Sequence, residues 1–190
     1  MEEWILVADV VVVVTAGAAS FWSVRWLRDA IEVSRTRVTL MAPNSDDTVV
    51  PIFLDLLAEA DQEIIIYDDG DTAAESLYQS REVVDAVKAK VTEDHIRVQC
   101  MLNRRMGETL FERELKQYPG VDIKGRASGT EEREHYKIID RTKVYVSAHH
   151  EGQSTRNRKL IDCTHSQSRR GGDPLAIRRY IKDFAQHAVA

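Results

Sequence analysis

Glu134 to Asp162 reads EHYKIIDRTKVYVSAHHEGQSTRNRKLID and sets His135, Lys137, Asp140 and the His149/His150 pair around two short apolar runs. Tyr136 to Ile139 has the composition of a strand, Asp140 to Lys143 that of a polar turn, and Val144 to Val146 opens a second strand. His135, Lys137 and the His149/His150 pair then lie at strand ends, where side chains from neighbouring strands converge. These residue types suit chemistry on phosphate esters. An imidazole can attack phosphorus or donate a proton, an ammonium can hold phosphoryl oxygens, and a carboxylate can orient an imidazole.

The order of elements on either side is alternating. Pro51 to Ala60 has apolar residues at helical spacing and leads into Glu63 to Tyr67 (EIIIY), a run suited to a buried strand. Val83 to Val91 repeats the helical pattern, and Ile96 to Leu102 alternates as a strand does. Thr109 to Gln117 reads as a helix stopped by Pro119-Gly120, Val121 to Lys124 as a short strand, and Ala176 to His187 as a closing amphipathic helix. Such alternation predicts an α/β sandwich.

The motif and this order together resemble the phospholipase D superfamily, whose signature is H-x-K, four residues, an aspartate, then a glycine-serine pair and an asparagine. His135 and Lys137 supply H-x-K, but Asp140 follows Lys137 after two residues. Counted from Asp140, the histidine position falls on Arg133, the lysine position on His135, the glycine-serine pair on Ser147-Ala148 and the asparagine on His150. Counted from His135, the nucleophile is kept and the aspartate is displaced. Both registers stay open on sequence alone.

The resemblance covers roughly residues 36 to 187. It implies a phospholipase D-like α-β-α sandwich, a mixed sheet flanked by helices. In an active site of that kind His135 would be the nucleophile, Lys137 would bind phosphoryl oxygens, and Asp140 would orient an imidazole. His149, His150 or a second subunit would protonate the leaving group, with no metal or other cofactor. Arg133, Ser147, Arg156, Asn157, Arg158 and Lys159 are the candidate substrate contacts, the last four placed in a loop after the histidines. The expected ligand is a phosphodiester, in nucleic acid or a phospholipid headgroup. A single motif copy implies a homodimer or half a site. The reading from another class is an inactive membrane-tethered scaffold that binds lipid headgroups, nucleic acid or a protein partner.

Trp4 to Trp22 (WILVADVVVVVTAGAASFW) is nineteen residues with one charge. As a helix at about 1.5 Å per residue it reaches roughly 28 Å, near the thickness of a bilayer core, and its terminal tryptophans suit the two interfaces. Glu2-Glu3 in place of a basic leader argues against a signal peptide. Asp9 near one end is read as a tolerated charge. Residues 1–22 are therefore expected to form a transmembrane anchor, 23–35 a juxtamembrane helical neck, and 36–190 the folded domain. Arg25, Arg28, Arg35 and Arg37 follow the span, so a single-pass cell-membrane protein with its soluble domain in the cytoplasm is expected.

The net charge of −5 hides an asymmetry. Val38 to Ser80 holds ten acids and no lysine or arginine, whereas Arg126 to Ala190 holds thirteen basic residues against eight acids. Arg156 to Lys159 is the part of the basic region expected to meet phosphate, and Arg178, Arg179 and Lys182 are read as a solvated helix face. Asp68-Asp69-Gly70-Asp71-Thr72 reads as a solvated turn in preference to a magnesium site. The two cysteines, Cys100 and Cys163, read as core thiols, and His95, His165 and His187 as surface or packing residues. No P-loop, G-x-S-x-G, H-E-x-x-H or zinc spacing occurs.

Overall fold

Glu63–Asp68 (EIIIYD) is the strand about which the molecule is built, with four consecutive residues buried on both faces. A computed structural model of the chain describes residues 36–40, 49–68, 76–103, 107–126, 135–147, 158–164 and 173–188. In chain order the elements are β1 (Arg37–Leu40), α1 (Val49–Ala58), β2 (Glu63–Asp68), α2 (Arg81–Glu93), β3 (Arg97–Asn103), α3 (Leu110–Leu115), β4 (Val121–Arg126), β5 (His135–Ile139), β6 (Lys143–Ser147), β7 (Lys159–Asp162) and α4 (Leu175–Ala188), with a short 3₁₀ turn at Leu77–Gln79.

The seven described strands form one mixed sheet in the order β1-β7-β6-β5-β2-β3-β4. β2, β3 and β4 are parallel and joined through α2 and α3, whereas β5, β6, β7 and β1 continue the sheet antiparallel. Alternation along β2 sorts its side chains into two cores. Ile64 and Ile66 pack with Phe53 and Leu57 of α1, Val83, Val84 and Val87 of α2, and Phe111 and Leu115 of α3. Ile65 and Tyr67 pack with Ile177, Tyr180 and Phe184 of α4. The result is the expected sandwich of a mixed sheet between two helical layers.

Helix starts follow the local sequence. Ser80 caps α2 by accepting from the Val83 amide, and Thr109 and Glu112 form a reciprocal capping box at α3. β1 and β7 were not anticipated: RVTL and KLID are four residues each with two apolar positions, too short to show a period. The loop expected over Arg156 to Lys159 is corrected at its end, because Lys159 is the first residue of β7.

Among the described residues no helix is long and apolar enough to cross a membrane. The expected anchor at 1–22, with Asp9, and the neck at 23–35 lie outside them.

β5 and β6 are joined by a tight turn in which Asp140 and Arg141 both have positive φ, 48° and 54°, and the Thr142 amide donates to the Ile139 carbonyl at 2.9 Å. That is the pattern of a type I′ hairpin turn, which few residues adopt without local support. The Asp140 carboxylate supplies the support by accepting from the amides of Asp61, Gln62 and Glu63, each at 2.8 Å. The Asp140 amide donates to the Glu63 carbonyl at 2.9 Å, and Arg141 pairs with Glu63 and Asp173. Asp140→Ala should lower stability by about 2 kcal/mol, since charge-assisted hydrogen bonds are lost from a partly exposed turn. Urea denaturation measures it, and a change near zero would mean that the carboxylate does not hold the turn.

Candidate active site

The last residue of β2 and the first of β5 meet one step beyond the Tyr67↔Tyr136 pair. His135 Nδ1 donates to Asp68 Oδ1 at 2.8 Å, and the Lys137 ammonium bonds to Asp68 Oδ2. Two residues apart on one strand, His135 and Lys137 share a face, and both are buried, at 4 % and 3 % exposure. The Lys137 Nζ also lies 5.7 Å from the centroid of the Tyr145 ring on β6. Ser147 stands opposite His135, and its hydroxyl donates to the His135 carbonyl at 3.5 Å. Arg158 precedes β7, beyond the Val146↔Lys159 pair, and is 8 % exposed. By alternation it lies on the same sheet face as Leu160, so Asp68, His135, Ser147 and Arg158 form a row across four adjacent strands.

Burial by itself would raise the pKa of Asp68, but the charges of Lys137 and His135 and the hydrogen bonds from both hold it well below the usual carboxylate range. The same burial drives the Cys100 thiol well above its usual range, with the charges of Asp68 and Glu112 adding to the effect. Cys100 is thus a protonated core thiol, and Cys163 is buried as well. A carboxylate on Nδ1 sets the imidazole tautomer with its proton there, which leaves the lone pair on Nε2 as the nucleophilic one.

Of the residues singled out in the sequence, His135, Lys137, Ser147 and Arg158 come together. Asp140 does not. It ends the far side of β5, roughly 16 Å along the strand from His135 at about 3.3 Å per residue, and its carboxylate is taken up by the turn amides. The expected role of Asp140 in orienting an imidazole is therefore corrected: Asp68 does it. Lys159 also departs from expectation, because its register with Val146 puts it on the α4 face. Arg133, His149, His150, Arg156 and Asn157 lie outside the described residues, as do Asp69 to Thr72 and His165. Of the two registers, the one counted from His135 is the one in which histidine and lysine share a face and a carboxylate.

Asp68 is the residue that the sequence reading missed. It belongs to β2 and is buried within the site, although it had been grouped with the acidic turn that follows. The available signal was its position: an acid that closes a run of buried apolar residues stands at a strand end. Among the described residues, no group of three or more His, Cys, Asp or Glu side chains is placed to hold a metal.

The mixed sheet of the seven described strands, with α1 to α3 on one face and α4 on the other, is a fold the chain shares with solved structures of known proteins. No family model matches the sequence, and no curated protein matches it. Among solved structures, the chain is similar to NucT from Helicobacter pylori, with a TM-score of 0.54 and 14 % identity over 80 % of this chain and 96 % of that one. It is also similar to TrmBL2, an archaeal chromatin protein with a novel mode of DNA binding, at a TM-score of 0.51 and 15 % identity over 81 % of this chain and 52 % of that one. Nuc from Salmonella typhimurium, a phospholipase D family member, aligns with a TM-score of 0.47 and 13 % identity over 80 % of this chain and 92 % of its own.

Asp68→Asn should destabilise the fold by about 3 to 5 kcal/mol at neutral pH, because it leaves the buried Lys137 without its counter-charge. The sign of the pH dependence follows from the lowered pKa. The folded state binds fewer protons than the unfolded chain, so the carboxylate's contribution is fully present above the unfolded value of about 4 and is lost as the pH falls through the folded one. Urea midpoints of the two proteins should therefore converge in acid and stay apart from about pH 5 upward. A gap that does not depend on pH would rule out the ionised Asp68.

Proposed function

We propose that the domain is a phosphodiesterase in which His135 is the nucleophile. The observation that supports this reading is the bond between Asp68 and His135 Nδ1, which leaves the lone pair on Nε2, on the sheet face that also carries Lys137 and Arg158. Nε2 attacks phosphorus, an N–P bond forms, and the bond from phosphorus to the leaving oxygen breaks as that oxygen takes up a proton. Water then attacks phosphorus and gives a proton back to the group that protonated the leaving oxygen, the N–P bond breaks with its electron pair returning to Nε2, and a phosphomonoester leaves. Lys137 and Arg158 place positive charge where the phosphoryl oxygens gather negative charge in the transition state. The proton for the leaving group comes from His149, His150 or a second copy of the chain. The substrate is nucleic acid or a phospholipid, and the chemistry needs no metal.

The finer arrangement belongs to the same proposal. Trp4 to Trp22 anchors the domain at the cytoplasmic face of the cell membrane, and tethering raises the effective concentration at which two copies pair.

A second reading is favoured by the near-complete burial of His135 and Lys137 against one carboxylate, which also suits a closed polar cluster under a binding surface. In that reading the domain is a scaffold for nucleic acid, as TrmBL2 is a chromatin protein that binds DNA.

Hydrolysis of bis(p-nitrophenyl) phosphate and of single- and double-stranded DNA in the presence of EDTA tests the two. Turnover by the wild type should fall by roughly three orders of magnitude in His135→Ala, as expected for removal of a nucleophile. Turnover that survives the substitution would sink the histidine mechanism. A folded wild type that binds DNA without cleaving it would establish the scaffold.

A further inference from the structure

The two residues of the Asp68–His135 pair are each followed or preceded by a tyrosine that faces the opposite side of the sheet. Tyr67 and Tyr136 are a cross-strand pair, their rings stacked at 5.0 Å with 7° between planes. Both hydroxyl-bearing rings are buried beneath α4. The Tyr136 hydroxyl lies 3.0 Å from Asp183 Oδ2 and 3.2 Å from the Tyr180 carbonyl, so it can donate to either acceptor of α4. The Tyr180 ring rests against that of Tyr136 at 5.1 Å, and His187 rests against Tyr67 at 5.8 Å. One helix thus holds the tyrosine side chains of β2 and β5 at the step immediately next to the Asp68–His135 bond.

Ile177 and Phe184 pack on apolar neighbours, which resist separation but tolerate small slides. A phenol held between a carboxylate and a carbonyl has a directional preference. The placement of β5 that this bond holds is the one in which Nδ1 of His135 meets Oδ1 of Asp68.

We propose that Tyr136 and Asp183 are positioning residues for the reaction. They act through the strand offset and touch no reacting atom, and α4 is the element that sets the nucleophile. The inference rests on the phosphodiesterase reading for its kinetic arm and on the fold alone for its spectroscopic arm.

The test uses the full chain and the variants Tyr136→Phe, Asp183→Ala, Asp183→Asn and Tyr136→Phe/Asp183→Ala. Tyr136→Phe keeps the ring stack and removes only the hydroxyl. Its kcat on bis(p-nitrophenyl) phosphate should fall 10- to 100-fold, about the loss seen when a partner that orients a reactive imidazole is removed, with KM within about twofold of wild type. Asp183→Ala should match it, and the double variant should be no worse than either single one because both break the same bond. Asp183→Asn keeps an acceptor and should restore most of the rate.

The spectroscopic arm follows the proton on His135 Nδ1 by NMR. In the wild type it should give a downfield resonance, which should weaken or shift in Tyr136→Phe and recover in Asp183→Asn. A wild-type kcat and an unmoved resonance in Tyr136→Phe would overturn the proposal, as would additive losses in the double variant. If the wild type itself shows no turnover, the phosphodiesterase reading fails, and the resonance alone then decides whether α4 positions His135.

Discussion

A single buried carboxylate shared by an ammonium and an imidazole N–H is the constraint around which this fold is arranged. Asp68 sits at the end of a strand whose four central residues are apolar and buried, where an unpaired charge would cost several kcal/mol. Lys137, nearly as buried, has the same need. Neither is tolerable without the other, and they meet only in one register of β2 against β5. A slip of one residue would carry His135 and Lys137 to the α4 face, among Tyr136, Ile138 and Tyr180, and leave Asp68 alone. The ion cluster therefore specifies strand pairing, whatever its net contribution to stability.

The two ends of β5 divide the labour. At its C-terminal end Asp140, Arg141, Glu63 and Asp173 tie the hairpin turn to the start of β2 and to the approach to α4. That end is built from backbone amides and exposed ion pairs, which hold geometry without demanding a dry environment. At the N-terminal end the polar groups are inside. β2, β3 and β4 also end on that side, so the parallel half of the sheet and the antiparallel half bring different strand termini to one place. In open α/β sheets the carboxyl ends of parallel strands are where ligands bind, and the Asp68–His135 row lies at that edge.

This division explains which parts were legible in the sequence. The helices and β2, β3, β5 and β6 declared themselves by period, because each is long or apolar enough to show one. β1 and β7 did not, since a four-residue strand with two apolar positions has no pattern that outweighs its polar neighbours. The site was half legible for a related reason. His135 and Lys137 lie two apart on one strand, and strand geometry alone puts them on one face. Asp140 was near them in sequence, but three residues along an extended strand is roughly 10 Å, and it fell at the wrong end. The carboxylate that does meet them comes from 67 positions away and was hidden in a run of acids that resembles a turn. No local rule joins such residues. Only the pairing of β2 with β5 does.

The balance of charge at this site also settles an apparent conflict with the acidity of the chain. A net charge of −5 would seem to disfavour an anionic ligand. Yet at physiological ionic strength charges are screened over about 8 Å, so the acids of Val38 to Ser80 that face solvent contribute little at the row. What an approaching phosphate meets is local. Asp68 offsets Lys137, His135 donates to the same carboxylate, and Arg158 brings a guanidinium to the same sheet face. These charges are held in a buried setting where screening is weak. In the phosphodiesterase reading, a phosphate at that edge of the sheet meets this local set of charges and not the net charge of the chain.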